Sequence, residues 1–173
     1  MKNKVFISFL IIFLSSCTSV KKQSPTLEGT HFKRTNLLIT NLDRSLSIYR
    51  DILGFSVHKI SDSREDSYSY PVFNIPKEAK LKFCTLDSPD QIRTIALTQI
   101  TGIELPKPPS VPRLSASVIR VKDLPGVMKK IAALGLEITE PKIAVGSDGN
   151  TFMEQAFVDY DGHLIVLYEF QKS

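Results

Sequence analysis

The chain has 173 residues, 42% hydrophobic and 23% charged. That composition excludes a disordered or fibrous chain and suits one domain with a real core. The net charge of +4 includes Lys2 and Lys4, which fall in a removable leader, and no Lys/Arg block is long enough for a nucleic-acid surface, so nucleic acid is not expected as a partner.

Residues 1–17 read MKNKVFISFLIIFLSSC. Two lysines, an apolar run from Val5 to Leu14 and then small residues form the layout of an export signal. Ten helical residues reach about 15 Å, half of a bilayer core of roughly 30 Å, so the run is too short for a spanning anchor. Leu14-Ser15-Ser16-Cys17 resembles the lipobox of bacterial lipoproteins. The resemblance implies cleavage after residue 16 and acyl chains, palmitate among them, on Cys17. It places the protein on a membrane of the cell envelope, the outer membrane in a Gram-negative host because Thr18 is not the Asp of inner-membrane retention. Residues 17–31 are then the lipidated cysteine and a polar tether with Pro25 and Gly29.

The domain is expected over residues 32–170. A strand Arg34–Thr40 leads to Asn41, an N-cap, and to a helix with Leu42, Leu46, Tyr49, Ile52 and Leu53 on one face, stopped by Gly54. Strands follow at Ser56–Ile60, Lys80–Leu86 and Thr94–Ile100, with a short helical turn within Tyr70–Ala79. Residues 102–112 hold four of the ten prolines and read as an extended linker. A second strand, Ser115–Val121, leads to Asp123 and a helix carrying Leu124, Val127, Met128, Ile131 and Leu134, stopped by Gly135. Its strands are expected at Glu137–Thr139, Phe152–Val158 and His163–Phe170, with a polar loop over Ala144–Asn150 and a hairpin turn at Asp161-Gly162.

The start and stop signals thus repeat at nearly one offset, Asn41 to Asp123 and Gly54 to Gly135. The fold class expected is α+β, two βαβββ modules (32–101 and 113–170) forming an eight-stranded curved open barrel. One helix covers one face of each sheet, so the other faces form a trough.

The segment from Asn41 to Phe55 (NLDRSLSIYRDILGF) resembles the first helix of the vicinal-oxygen-chelate superfamily, which includes glyoxalase I, bleomycin-resistance proteins and extradiol dioxygenases. Phe157 to His163 (FVDYDGH) is similar to its last turn and strand, with Tyr160 in place of the usual proline. The resemblance implies four metal-ligand positions on trough strands, which here hold Arg34, Ala96, Ala116 and Val166. None is a metal ligand. Shifts of two residues, the only ones that keep a side chain on the same face, offer no better set. His31, Gln99 and Glu169 have the wrong parity. Neither metal, other cofactor nor catalytic residue is therefore expected.

The same parity puts Arg34, Asn36, Thr94, Ala96, Thr98, Ala116, Val118, Arg120, Leu164, Val166 and Tyr168 on the trough. This small, apolar lining with two guanidiniums and a phenol suits a small apolar or aromatic ligand with an anionic group; the competing reading has Arg34 and Arg120 at the rim, in solvent or paired with acids. The reading is a lipid-anchored binding protein. Its alternatives are a glyoxalase-like lyase or isomerase, or a dioxygenase-like enzyme, with a non-standard site (a metal in an unusual register, or metal-free acid–base chemistry through Tyr168 or His58), and an envelope interaction module. A homodimer is compatible with all three. Cys84 reads as a buried small hydrophobe, Asp159 and Asp161 as turn formers, and His163 as solvent-facing.

Overall fold

The structure, a computed structural model, describes residues 30–107 and 111–171. The leader, Cys17, the tether up to residue 29 and linker residues 108–110 lie outside the described residues. From residue 31 the chain forms one compact unit. Its elements are β1 (Thr35–Ile39), α1 (Leu42–Tyr49), β2 (Ser56–Asp62), α2 (Ser69–Val72), β3 (Lys80–Asp87) and β4 (Ile95–Thr101). The second module has β5 (Ser117–Arg120), α3 (Leu124–Ala133), β6 (Lys142–Val145), β7 (Thr151–Val158) and β8 (Leu164–Phe170). The strands form two four-stranded sheets, ordered β1-β4-β3-β2 and β5-β8-β7-β6. In each, the first strand pairs in parallel with the last and the other pairs are antiparallel. The topology repeats as the sequence does, and the result is an α+β fold of two sheets that stay open and do not close into a barrel.

The helix signals act where the sequence places them. The Asn41 side chain accepts from the Arg44 amide at 2.9 Å, and the Asp123 side chain from the Gly126 amide at 2.9 Å, each satisfying a donor that a helix start leaves open. After Tyr49 helical turns continue through Arg50 N–H to Leu46 O and Leu53 N–H to Ile48 O, both 2.9 Å. Gly54 and Gly135 then take φ of +80° and +72°, the left-handed conformation that ends a helix at little cost only for glycine.

Leu37, Ile39, Leu46, Tyr49, Leu86 and Leu97 share one core with Leu124, Ile131, Phe157, Ile165 and Leu167. The helix sides of both modules therefore bury together. Cys84 belongs to this core, with its thiol pushed up to about 11 by burial; it is an inert thiol under neutral conditions.

The turn between β7 and β8 fastens module two to module one. Asp159 Oδ1 accepts from the amides of Asp161 and His163 at 3.0 and 2.9 Å, shaping the turn, while its Oδ2 accepts from the fully buried Tyr49 hydroxyl at 2.8 Å. Burial, then the Asp159 carboxylate, holds the Tyr49 phenol well above its usual range, so it stays a donor. Asp161 Oδ1 accepts from the amide and hydroxyl of Thr40 at 3.0 and 2.6 Å. His163 is corrected here: it is half-buried, with Nε2 2.8 Å from the Leu38 carbonyl, and does not face solvent. Edge strand β1 leaves that carbonyl without a ladder partner on its outer side, and the imidazole meets it.

Around β6 the structure also differs from the sequence reading. Glu137–Thr139 makes only an isolated bridge, Ile138 to Phe157. The ladder strand is Lys142–Val145, whose last two residues fall in what reads as loop, paired with Thr151–Glu154. Pro141 separates the two stretches because it has no N–H to continue the ladder. The Thr139 hydroxyl instead accepts from the Ala156 amide at 2.9 Å.

Candidate functional site

Strand alternation sorts the expected lining residues cleanly. Leu37 and Ile39 on β1, Ile95 and Leu97 on β4, and Ile165 and Leu167 on β8 lie in the helix-side core. Asn36 pairs with Ala96 and Leu38 with Thr98, Val118 with Val166 and Arg120 with Tyr168. These residues therefore occupy the opposite, trough faces. Gln99 and Glu169 point to the helix side: Gln99 Oε1 accepts from the Leu42 amide at 2.8 Å and Glu169 Oε2 from the Leu124 amide at 2.9 Å. Both stabilise helix starts, the carboxylate also through the helix dipole. Two of the three wrong-parity candidates, Gln99 and Glu169, are thus engaged at helix starts.

Among the described residues no three His, Cys, Asp or Glu side chains come together as a group able to hold a metal ion. The donor chemistry at the positions implied by the family likewise does not fit a divalent cation: a guanidinium, two methyls and an isopropyl group supply no coordinating lone pair. His58 is exposed, with Nδ1 3.2 Å from Asp87 Oδ2, at the irregularity of the β2–β3 ladder.

The two trough faces differ. On module one, Ala96 and Thr98 are fully buried, and the Thr98 hydroxyl donates to Asn36 Oδ1 at 2.9 Å. Thr94 precedes β4, and its hydroxyl donates to the Gln91 carbonyl at 2.9 Å, which commits it to the turn. One end of this face is filled by the chain itself. Tyr70 and Ile75, from α2 and the segment after it, pack with Leu81 and Ile100, and with Leu38 and Phe73 around them; the Tyr70 hydroxyl donates to the Ala79 carbonyl at 2.9 Å.

Beside that plug, Arg34 lies over the Phe83 ring, its guanidinium carbon 5.6 Å from the ring centroid. It is half-buried and makes no hydrogen bond or ion pair with a described residue. Desolvation, then the nearby Arg93 charge, lowers its pKa; an anion would relieve both effects. Phe83 also borders a cavity of about 490 Å³ with Ser61, Ser63, Arg64, Ser67 and Ser69, and with Asp62 and Asp66.

On module two the face is open. Ala116, Val118 and Arg120 are exposed, while Leu164, Val166 and Tyr168 are half-buried. Val118 and Tyr168 line a cavity of about 450 Å³ with Phe152, Glu154, Phe170 and the Gly146–Asp148 turn. Phe83, Phe152 and Glu154 are trough residues that strand reading of β1, β4, β5 and β8 alone misses, whereas Phe170 continues the Tyr168 parity at the end of β8. The signal for those three lies in the alternation of β3 and β7, where Cys84 and Phe157 face the core and their neighbours do not.

A family model described as the glyoxalase/bleomycin resistance protein/dioxygenase superfamily matches residues 31–167. Comparison with curated proteins gives no match. Among solved structures, a glyoxalase family protein from Bacillus cereus is similar at TM-score 0.66 and 15% identity, covering 87% of this chain and all of that one. The fosfomycin resistance protein FosX of Listeria monocytogenes, complexed with Mn(II) and sulfate, is similar at TM-score 0.54 and 12% identity, covering 82% and 93%. The trypanothione-dependent glyoxalase I of Leishmania major is similar at TM-score 0.53 and 20% identity, covering 82% and 87%. At these identities the likeness is one of fold.

Proposed function

The chain belongs to the glyoxalase/bleomycin resistance protein/dioxygenase superfamily, and within it we propose a lipid-anchored protein that binds a small carboxylated molecule without a resident metal ion. The observation that carries the reading is Arg34. It stands where the resemblance places a metal ligand, carries a group that repels cations, and presents over an aromatic ring a half-buried guanidinium with no hydrogen-bond or ion-pair partner among the described residues. A carboxylate meeting that fork gains two charge-assisted hydrogen bonds, and Phe83 offers a face for the ligand's apolar body. On this reading the guanidinium holds a carboxylate in place, and the chemistry is binding. The proposed lipid anchor at Cys17 would hold the domain at the cell envelope, since two or more acyl chains give stable attachment where one is marginal.

Two measurements test the two parts. Calorimetric titration of the full chain in non-ionic detergent with benzoate is expected to show saturable binding that falls about tenfold or more in Arg34→Gln, the loss of roughly 1.5–3 kcal/mol from a charged hydrogen bond. Benzoate binding that ignores this substitution, or no binding, contradicts the ligand reading. Metabolic labelling with palmitate is expected to mark the wild-type chain and not Cys17→Ser; equal labelling of both contradicts the anchor.

A further inference from the structure

We propose that the open face of module two is a separate site for an organic cation, a quaternary or protonated amine with a small apolar body. It goes beyond the Arg34 reading, since it uses different residues and the opposite charge preference.

The aromatic wall is the first observation. Phe152, Tyr168 and Phe170 come from adjacent positions on β7 and β8, with ring centroids 6.3 Å apart for the first pair and 5.6 Å for the second. Both contacts are edge-on, at 74° and 89°, so each occupies one face of one ring and leaves the other ring faces outside these contacts, and those faces carry the negative end of the aromatic quadrupole.

The acids are the second. Glu154 pairs across the ladder with Tyr168 and lines the same cavity. It is half-buried, and neither its carboxylate nor the Tyr168 hydroxyl has a hydrogen-bond or ion-pair partner among the described residues. Asp148, at the lip, is locked in place: its oxygens accept from the Asn150 amide at 3.1 Å and side-chain nitrogen at 2.7 Å. Those bonds hold its carboxyl below the usual range, so it stays anionic. Lys142 and Arg120, neighbours of Glu154 and Tyr168 in the ladder, are exposed and do not line the cavity.

The turn itself keeps the cup open. A Cβ on Gly146 would stand 2.6 Å from an Asp148 side-chain oxygen and 3.5 Å from the Phe152 ring, so any larger residue there displaces the Asp148 carboxylate from its place at the lip. A cavity of about 450 Å³ falls within the roughly 300–1,000 Å³ of small-molecule sites. Aromatic faces beside the Glu154 and Asp148 carboxylates, with no cation lining the cavity among the described residues, select for positive charge.

The experiment is a titration of the full chain in non-ionic detergent with benzyltrimethylammonium chloride, against benzoate as the anionic control. Saturable binding of the cation is expected, weakened about tenfold by Glu154→Gln and by Tyr168→Ala separately, and unchanged in Arg34→Gln. Melting temperatures of both variants should stay near wild type, because neither side chain is in the core. Gly146→Ala should also weaken the cation by closing the cup. Absence of saturable cation binding, or binding that survives both Glu154→Gln and Tyr168→Ala, overturns the proposal. The benzoate arm with Arg34→Gln reports the module-one reading alone, so the two fail independently.

Discussion

Asp159→Ala is expected to lower the domain's stability by about 3–5 kcal/mol, because it strips a buried acceptor from three donors at once. The amides of Asp161 and His163 lose the Oδ1 that shapes the β7–β8 turn, and the Tyr49 hydroxyl, fully buried, loses its partner. The turn carries the Thr40 and Leu38 contacts to module one, so its loosening weakens the junction between modules as well as a hairpin. At roughly 2–4 °C per kcal/mol for a domain of this size, the melting temperature should fall by roughly 6–20 °C. Tyr49→Phe removes one donor and leaves the turn intact, so its cost should be smaller, about 1–3 kcal/mol. Thermal denaturation of the two variants checks the order; equal losses would show that the turn amides do not depend on Asp159.

Tyr70→Ala is the second large effect, about 3–4 kcal/mol on the scale of aromatic-to-alanine changes in packed interiors. Tyr70 is 5% exposed and packs with Ile75, Leu81 and Ile100 on the trough face of module one. Its removal leaves apolar volume there and strands the Ala79 carbonyl it satisfies. Tyr70→Phe keeps the packing and loses only the hydroxyl, for about 1 kcal/mol. The functional consequence separates two readings of this face. If the plug limits the volume beside Phe83, Tyr70→Ala should accept bulkier carboxylates than benzoate while melting lower. If the module is only an interaction surface, the variant should lose stability and gain no ligand. Chemical denaturation with a titration of 1-naphthoate distinguishes them.

The sequence shows the fold in Asn41, Gly54, Asp123 and Gly135, because a capping side chain and a left-handed glycine are local requirements that few other residues meet. Trough parity was equally readable, since alternating strands leave Leu37, Ile39, Leu97, Ile165 and Leu167 no alternative to the helix-side core. Three features were not legible. Lys142–Val145 is too short, and too close to Pro141, to stand out as a strand without its partner in view. His163 and Asp159 look like ordinary turn residues, and their role across the modules depends on contacts more than a hundred residues away in sequence. The aromatic cup of module two adds Phe152 and Glu154 of β7 and the Gly146–Asp148 turn to residues of β5 and β8, whereas reasoning from metal positions leads only to β1, β4, β5 and β8.

The central claim is that a trough face with Arg34, Ala96, Ala116 and Val166 at the family's ligand positions binds its ligand without an ion. Elemental analysis of the full chain purified without chelators, combined with melting in the presence of Mn(II), Zn(II) or EDTA, tests it most directly. The account predicts far less than one transition-metal ion per chain and a melting temperature indifferent to metal and chelator, because a ligand that does not bind the folded state cannot stabilise it. One retained ion per chain, with a melting temperature that drops on chelation and recovers on reloading, would contradict it.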